Sequence, residues 1–383
     1  MTNTASETVL RNAKIVLGDE IIEGSISWRD GKIASVDAGP SNVGEDVDGD
    51  YVIAGLVELH TDHLENHYSP RPGVRWNTMS AIQAHDAQIA SSGITTVFDC
   101  LRMGTDEDGG WQPGEMLELA GALTQAQDEG RLRVDHMLHL RCEVSSPDVL
   151  EDFDGFMGVP NVRLASLMDH APGQRQFQTM DQYTLYYKTK RGLTDAQFDV
   201  FVANRKAQSA KYSDTHRKAI AATCRENGIA VASHDDATLD HVDEAIRDGV
   251  ALAEFPTSIE AAKASHGNGM SVLMGAPNMV RGKSHSGNIA AIDLARMGLL
   301  DVLSSDYVPL SLIHAPFALC DHEETISLPQ AMAMVTSTPA KTVGLDDRGS
   351  LDEGKRADVI RVSRSETNVP VVRSVWSEGA RVA

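Results

Sequence analysis

From Gly55 to His67 the chain reads GLVELHTDHLENH: three histidines, one aspartate and two glutamates behind an apolar run. Imidazole and carboxylate together are the ligands of first-row divalent ions. His60 and Asp62 are two residues apart, so on an extended strand they face the same side. A polar loop start uses the same residue types, so the pair carries weight only in company. That company recurs after other apolar runs: Asp99 after ITTVF, Glu143 in HLRCEV, and Asp169-His170 in SLMDHAPG. His234-Asp235-Asp236 in VASHDDAT and Asp306 in LSSDYVP complete the series. A lone histidine at a strand end is more often structural, but packing does not explain the joint set. His60, Asp62, Glu143, His170, His234 and Asp306 are therefore the expected metal ligands, with Asp169 as the alternative to His170. More ligands than one tetrahedral ion needs suggest a second ion, so one or two divalent ions (zinc, manganese or iron) are expected. A bridge through Glu143 and a water would acidify that water. Asp306 is expected to bind metal and to take the proton of the attacking water as the catalytic base.

Such tips need strands to carry them. Apolar strand candidates lie near 55–60, 94–99, 133–142, 162–168, 229–233, 250–255, 271–275 and 299–304. Helical patterns separate them: NTMSAIQAHDAQIASSG, PGEMLELAGALTQAQDEG and DTHRKAIAATCRENG, each ending in glycine. Eight strands alternating with helices predict an α/β fold, a (β/α)₈ barrel, whose chemistry sits at the C-terminal strand ends. No Gly-rich dinucleotide turn follows the first strand, which disfavours a doubly wound sheet. The two ends differ from the centre. Residues 1–53 alternate as a meander with turns at Gly18-Asp19 and Asp30-Gly31, and residues 342–383 repeat that character. Together they predict a small composite β-sandwich domain, leaving 54–341 as the catalytic barrel. Residues 171–228 form an oversized connection, with a capping box at Thr194–Gln197 and Ser213 as the cap of a further helix. Emerging over the active face, the segment is expected to be a lid.

Bulk properties set limits. The chain of 383 residues is 42% hydrophobic and 5% aromatic, enough for a large core and a second, smaller unit. No apolar run is long enough for a membrane span, and the first residues lack a secretory pattern. Cys100, Cys142, Cys224 and Cys320 are scattered without a CxxC, so neither disulfides nor a thiolate zinc site is expected. A cytoplasmic location follows. With 34 Lys and Arg against 55 Asp and Glu, the net charge of −21 argues against nucleic acid or anionic membrane as partner.

The first-strand histidine–aspartate pair, the strand-end carboxylates and histidines, the last-strand aspartate and the split β domain resemble the amidohydrolase superfamily. The stretches that carry the resemblance include HTDHLENHYSPRPGVRW, HLRCEV, MDHAPGQRQF, SHDDAT, EFPTSIEAA, GAPNMVRGKSHSGN and SSDYVPLSLIHAPF, between residues 60 and 317. His63 departs from it, standing where asparagine is expected. The longest stretches are most similar to members that cleave a phosphoanhydride. They imply release of pyrophosphate from a ribose 5-triphosphate bearing a 1-methylphosphonate, a small-molecule substrate of phosphonate metabolism, by a homo-oligomer. Such chemistry needs cations for the phosphate oxygens. The candidates are Arg71 and Arg75 in RPGVR, Arg175 in GQRQ, and Arg281, Lys283, Ser284, His285 and Ser286 in VRGKSHSGN, the last placed before a helix starting near Asn288. Hydrolysis of a cyclic amide, imide or N-acyl substrate is the alternative, and it would give those cations no task. His67, His85, His136, His139 and His314 are expected to pack or cap. Asp235 and Asp236 are expected to orient ligands or cap the next helix.

Overall fold

Apolar runs too short for helices become eight parallel strands in the computed structural model, which describes residues 7–104, 111–112, 114–175, 183–188, 192–283, 288–364 and 369–383. The strands are β6 (Leu56–Thr61), β7 (Ile94–Met103), β8 (Asp135–Glu143), β9 (Val162–Met168), β10 (Ala230–His234), β11 (Leu252–Glu254), β12 (Ser271–Gly275) and β13 (Val302–Ser304). Each pairs with the next in sequence order. The ring closes where Thr61 bridges Asp306, so this is the expected barrel. Val57, Leu59, Phe98, Leu164, Ala232, Leu252, Leu273 and Val302 meet along its axis, at least one from nearly every strand. The barrel is thus a filled core whose chemistry is confined to the rim.

Helices alternate with the strands: α1 (His63–Tyr68), α2 (Thr78–Ser91), α3 (Glu115–Asp128), α4 (Val149–Gly155), α5 (Asp195–Asn227), α6 (Leu239–Asp248) and α7 (Ile259–Gly267). After β12 come α8 (Ala276–Arg281) and α9 (Ala291–Arg296), and after β13 come α10 (Ser311–His322), α11 (Leu328–Ala333) and α12 (Ser337–Thr342). Among the described residues no helix is long and apolar enough to cross a membrane.

The Thr194–Gln197 capping box starts α5 as expected, and Gly228 ends it in the left-handed region at φ 67°. Ser213 does not cap a second helix. It lies inside the 33-residue α5, where its hydroxyl and that of Ser209 each donate to Asp169 Oδ2 at 2.7 Å. Those tertiary bonds replace the local stop signal. A second difference concerns VRGKSHSGN. β12 runs straight into α8, so Arg281 ends a helix instead of opening a loop, and the next helix begins at Ala291.

The terminal segments supply β1 (Thr8–Val16), β2 (Ile21–Arg29), β3 (Lys32–Ala38), β4 (Glu45–Asp46), β5 (Tyr51–Ala54), β14 (Val359–Arg364), β15 (Pro370–Ser377) and β16 (Ala380–Arg381). They form one mixed sheet in which β14 pairs with β5. The sheet curls until Trp28 of β2 meets Trp376 of β15 edge to face at 5.3 Å, enclosing its own core. Gly55 joins this sheet to the barrel. A Cβ there would lie 2.1 Å from Thr95 Oγ1, so no larger residue fits between the two units. Asp135 at the start of β8 receives both Arg348 and Arg356, which pins the terminal sheet to the barrel floor.

Candidate metal centre

The first strand breaks its own alternation. Val57 and Leu59 face the axis, yet His60 also points inward, its ring 5.0 Å from that of His139 and 5.6 Å from that of His234. Two consecutive inward residues require a bulge, and the pairing of β6 with β7 shifts register between Glu58 and Thr61. The bulge frees backbone donors that Glu58 recovers. One oxygen accepts from His60 N at 2.7 Å and the other from Ser305 N at 2.5 Å. Burial pushes the Glu58 carboxyl up to about 8 against those donors. Asp306 then locks the seam: its N–H donates to His60 O at 3.1 Å, and its carbonyl accepts from Asp62 N and Thr61 Oγ1.

Around the rim the side chains link in sequence. His60 Nδ1 and His234 Nδ1 each donate to Glu254, one to each carboxylate oxygen, at 3.1 Å. Burial works against the Glu254 charge, but the His60 and His139 rings hold its carboxyl well below the usual range. The shared carboxylate fixes both tautomers and turns both Nε2 atoms away from itself. The ring of His170 lies 5.8 Å from that of His234, and its Nδ1 donates to Glu143 at 2.6 Å. Arg205 of α5 reaches the same carboxylate at 3.1 Å. Burial opposes the Glu143 charge as well, yet His170 and Arg205 bring it down to about 2. Arg141 donates to both oxygens of Asp62, at 2.6 and 2.5 Å. Phe255 stands edge-on to His60 and His234 and screens them from one side.

Backbone strain collects here. Asp235, Phe255 and Asp306 follow β10, β11 and β13, and all three adopt φ between 52° and 58°. Three non-glycine residues in the left-handed region at strand tips of one barrel cost of order 1–3 kcal/mol each, a cost tolerated mainly at functional sites.

The six expected ligands therefore stand on one rim, with His170 beside His234. Asp169 instead accepts from Ala171 N, Ser209 and Ser213 and so anchors α5. The expected phosphate cations differ in their surroundings. Arg175 is buried with its guanidinium on Asp236 and Glu244. Arg71, Arg281 and Lys283 are exposed. Ser284, His285 and Ser286 lie outside the described residues. Arg75 pairs with Glu115. Asp236 does not cap α6, a task that Thr238 performs.

Three contributors escaped the sequence reading. Glu254 ends a short apolar run just as the other tip residues do, and that position was its signal. Arg141 is two residues from Glu143 on one strand, so it had to share that face. Arg205, a third of the way along α5, carries no local signal.

The donors suit a divalent ion. One ligand atom each from His60, His234 and Glu254 lies within 4.8 Å of the others, and the same holds for His170, His234 and Asp235. His234 belongs to both groups. Asp235 Oδ2 is buried without a hydrogen-bond partner, 3.4 Å from His234 Nε2, the arrangement expected of a carboxylate reserved for a cation.

A family model described as the amidohydrolase family matches residues 79–383. A protein of Escherichia coli named alpha-D-ribose 1-methylphosphonate 5-triphosphate diphosphatase is 45% identical over 377 residues, which cover 98% of this chain and 100% of that relative. Among solved structures, an N-acetyl-D-glucosamine-6-phosphate deacetylase variant from Mycobacterium smegmatis, in complex with N-acetyl-D-glucosamine-6-phosphate, aligns with a TM-score of 0.65. It shares 16% identity, over 99% of this chain and 100% of that one. A Xaa-Pro dipeptidase with bound methionine also reaches 0.65 at 16% identity, covering 98% and 99%. At such identities the two structures speak for the fold alone.

Proposed function

This chain belongs to the amidohydrolase family, and from that membership we propose that it releases pyrophosphate from α-D-ribose 1-methylphosphonate 5-triphosphate, a step of phosphonate catabolism by the carbon–phosphorus lyase route. The observation that carries the reading is the full-length identity with the E. coli diphosphatase. The barrel with 54–341 is the catalytic part, and 1–53 with 342–383 form the supporting β domain. A cytoplasmic homo-oligomer acting on this small molecule, with no nucleic acid or membrane partner, completes the proposal.

His60, Asp62, Glu143, His170, His234 and Asp306 would hold one or two divalent ions of the zinc, manganese or iron class, with Asp235 as a further donor. When bound, such ions offset phosphate charge and acidify water. The protein's own part is positional. Glu254 holds two imidazoles in one tautomer, and the bulge at His60 aims the first of them at the rim. Asp306 Oδ2 lies beside Gly275 at the end of β12, 4.0 Å from where a Cβ would stand. There Asp306 takes the proton of the attacking water. Among the described residues, Arg141 and Arg205 each rest on a carboxylate of the candidate ligand set. A polyanionic substrate gives both guanidinium groups phosphate oxygens as alternative partners. Arg71, Arg175, Arg281, Lys283, Ser284, His285 and Ser286 remain the proposed substrate contacts, Arg175 from its buried place on Asp236 and Glu244.

A substrate panel tests the reading: ribose 5-triphosphates, with and without the 1-phosphonate, beside hydantoins, dihydropyrimidines and N-acyl amino acids. Pyrophosphate formed in one step from the triphosphates is expected. Faster turnover of any amide, with no pyrophosphate, would overturn it.

A further inference from the structure

A second histidine cluster lies on the other side of the barrel wall. Along β7, Cys100 points to the axis, its Sγ 3.5 Å from His139 Nδ1, so its neighbour Asp99 points outward to α2. There His85 Nε2 donates to Asp99 Oδ1 at 2.7 Å, which leaves His85 Nδ1 facing α1. On α1, His63 and His67 are four residues apart and share one face of the helix. One nitrogen from each of His63, His67 and His85 lies within 4.8 Å of the others.

We propose that His63, His67 and His85 form a tri-histidine site for a borderline divalent cation such as zinc, distinct from the ions at the rim. Three measurements support it. His63 Nδ1 and His85 Nδ1 are 3.3 Å apart, a hydrogen-bond distance that also equals the edge of a tetrahedron with metal–nitrogen bonds of 2.0–2.1 Å, about 3.3 Å. The ring centroids are 4.9, 5.6 and 6.0 Å apart, close to the ~5.2 Å separation that three imidazoles on one tetrahedral ion would show. The third ligand is unused. Gln88 is near enough to favour the charged form of His67, but His67 Nε2 is buried with no partner at hydrogen-bond distance. Asp99 behind His85 is the carboxylate that fixes a ligating imidazole's tautomer and raises its basicity. His67 is half-buried while His63 and His85 are buried, so an ion would enter from the His67 side. Once bound it would tie α1 to α2 and so steady the turn carrying Asp62, the residue that precedes His63.

The test uses the full chain, stripped with chelator and loaded with cobalt(II), with bound metal read by elemental analysis and visible absorption. His67→Ala is expected to bind one cobalt fewer than the unaltered chain. The double variant His60→Ala/His234→Ala, which disables the rim, is expected to keep one cobalt with the intense visible bands of four-coordination. His67→Gln, which preserves bulk, repeats the first measurement should the alanine variant fail to fold. Unchanged cobalt content in the folded His67 variant, or none in the double variant, would reduce the cluster to a buried polar network and overturn the proposal.

Discussion

The inner and outer histidine clusters are built from the same residue types on two faces of one barrel wall, yet their carboxylates do different work. Inside, Glu254 is shared between His60 and His234 so that each ring keeps a free nitrogen at the rim. Outside, Asp99 is spent between His85 and His136, which donate to its two oxygens at 2.7 Å each. Burial opposes charge on both members of the Asp99–His136 pair. Even so, Asp99 and Asp86 lift His136 to about 9, while inside burial takes His139 down to about 3. The backbone differs too. Strained φ values cluster at the inner tips, whereas Asp99 and His136 sit in regular strand. Residue type thus marks where an ion can bind. Strain and reserved acceptors mark where chemistry is done.

The contrast can be broken most directly at Asp306. Asparagine there tolerates positive φ and keeps the backbone seam, so Asp306→Asn is expected to fold but to lose about 10²–10⁴-fold in kcat. Turnover within tenfold of the unaltered chain would remove Asp306 from the chemistry. The matching outer change is Asp99→Ala, which leaves buried N–H groups of His85 and His136 without an acceptor. Denaturant unfolding of the metal-free protein should show a loss of roughly 3–5 kcal/mol, with turnover per folded molecule nearly unchanged. A fall in turnover as large as that of Asp306→Asn would mean that the two faces act as one unit. Glu254→Gln sharpens the picture with the smallest effect. A glutamine oxygen can serve only one imidazole well, so activity or metal affinity should drop roughly 10–100-fold. A full loss would make Glu254 itself a ligand, and no change would deny it the orienting role.

Much of this was legible before folding. Short apolar runs ending in His, Asp or Glu located the barrel tips, because a strand buried on both faces leaves only its end free to be polar. The limits were tertiary. Nothing local says that Leu59 and His60 both turn inward, since the bulge is stabilised by Glu58 reaching Ser305 across the seam. Ser213 reads as a helix start until Asp169 draws it into α5. The cations of VRGKSHSGN stand out in the sequence because they break an acidic background, whereas nothing local marks Arg205, which reaches Glu143 from within α5.

The pairing of β5 with β14 has a consequence for biogenesis. On the ribosome the first five strands emerge early, but β14 is made only after the entire barrel, so one apolar edge of Tyr51–Ala54 stays open throughout that interval. Such a long-range closure is slow and exposes a strand edge to other chains. A segment synthesised after the whole barrel is therefore the one that seals this edge against aggregation.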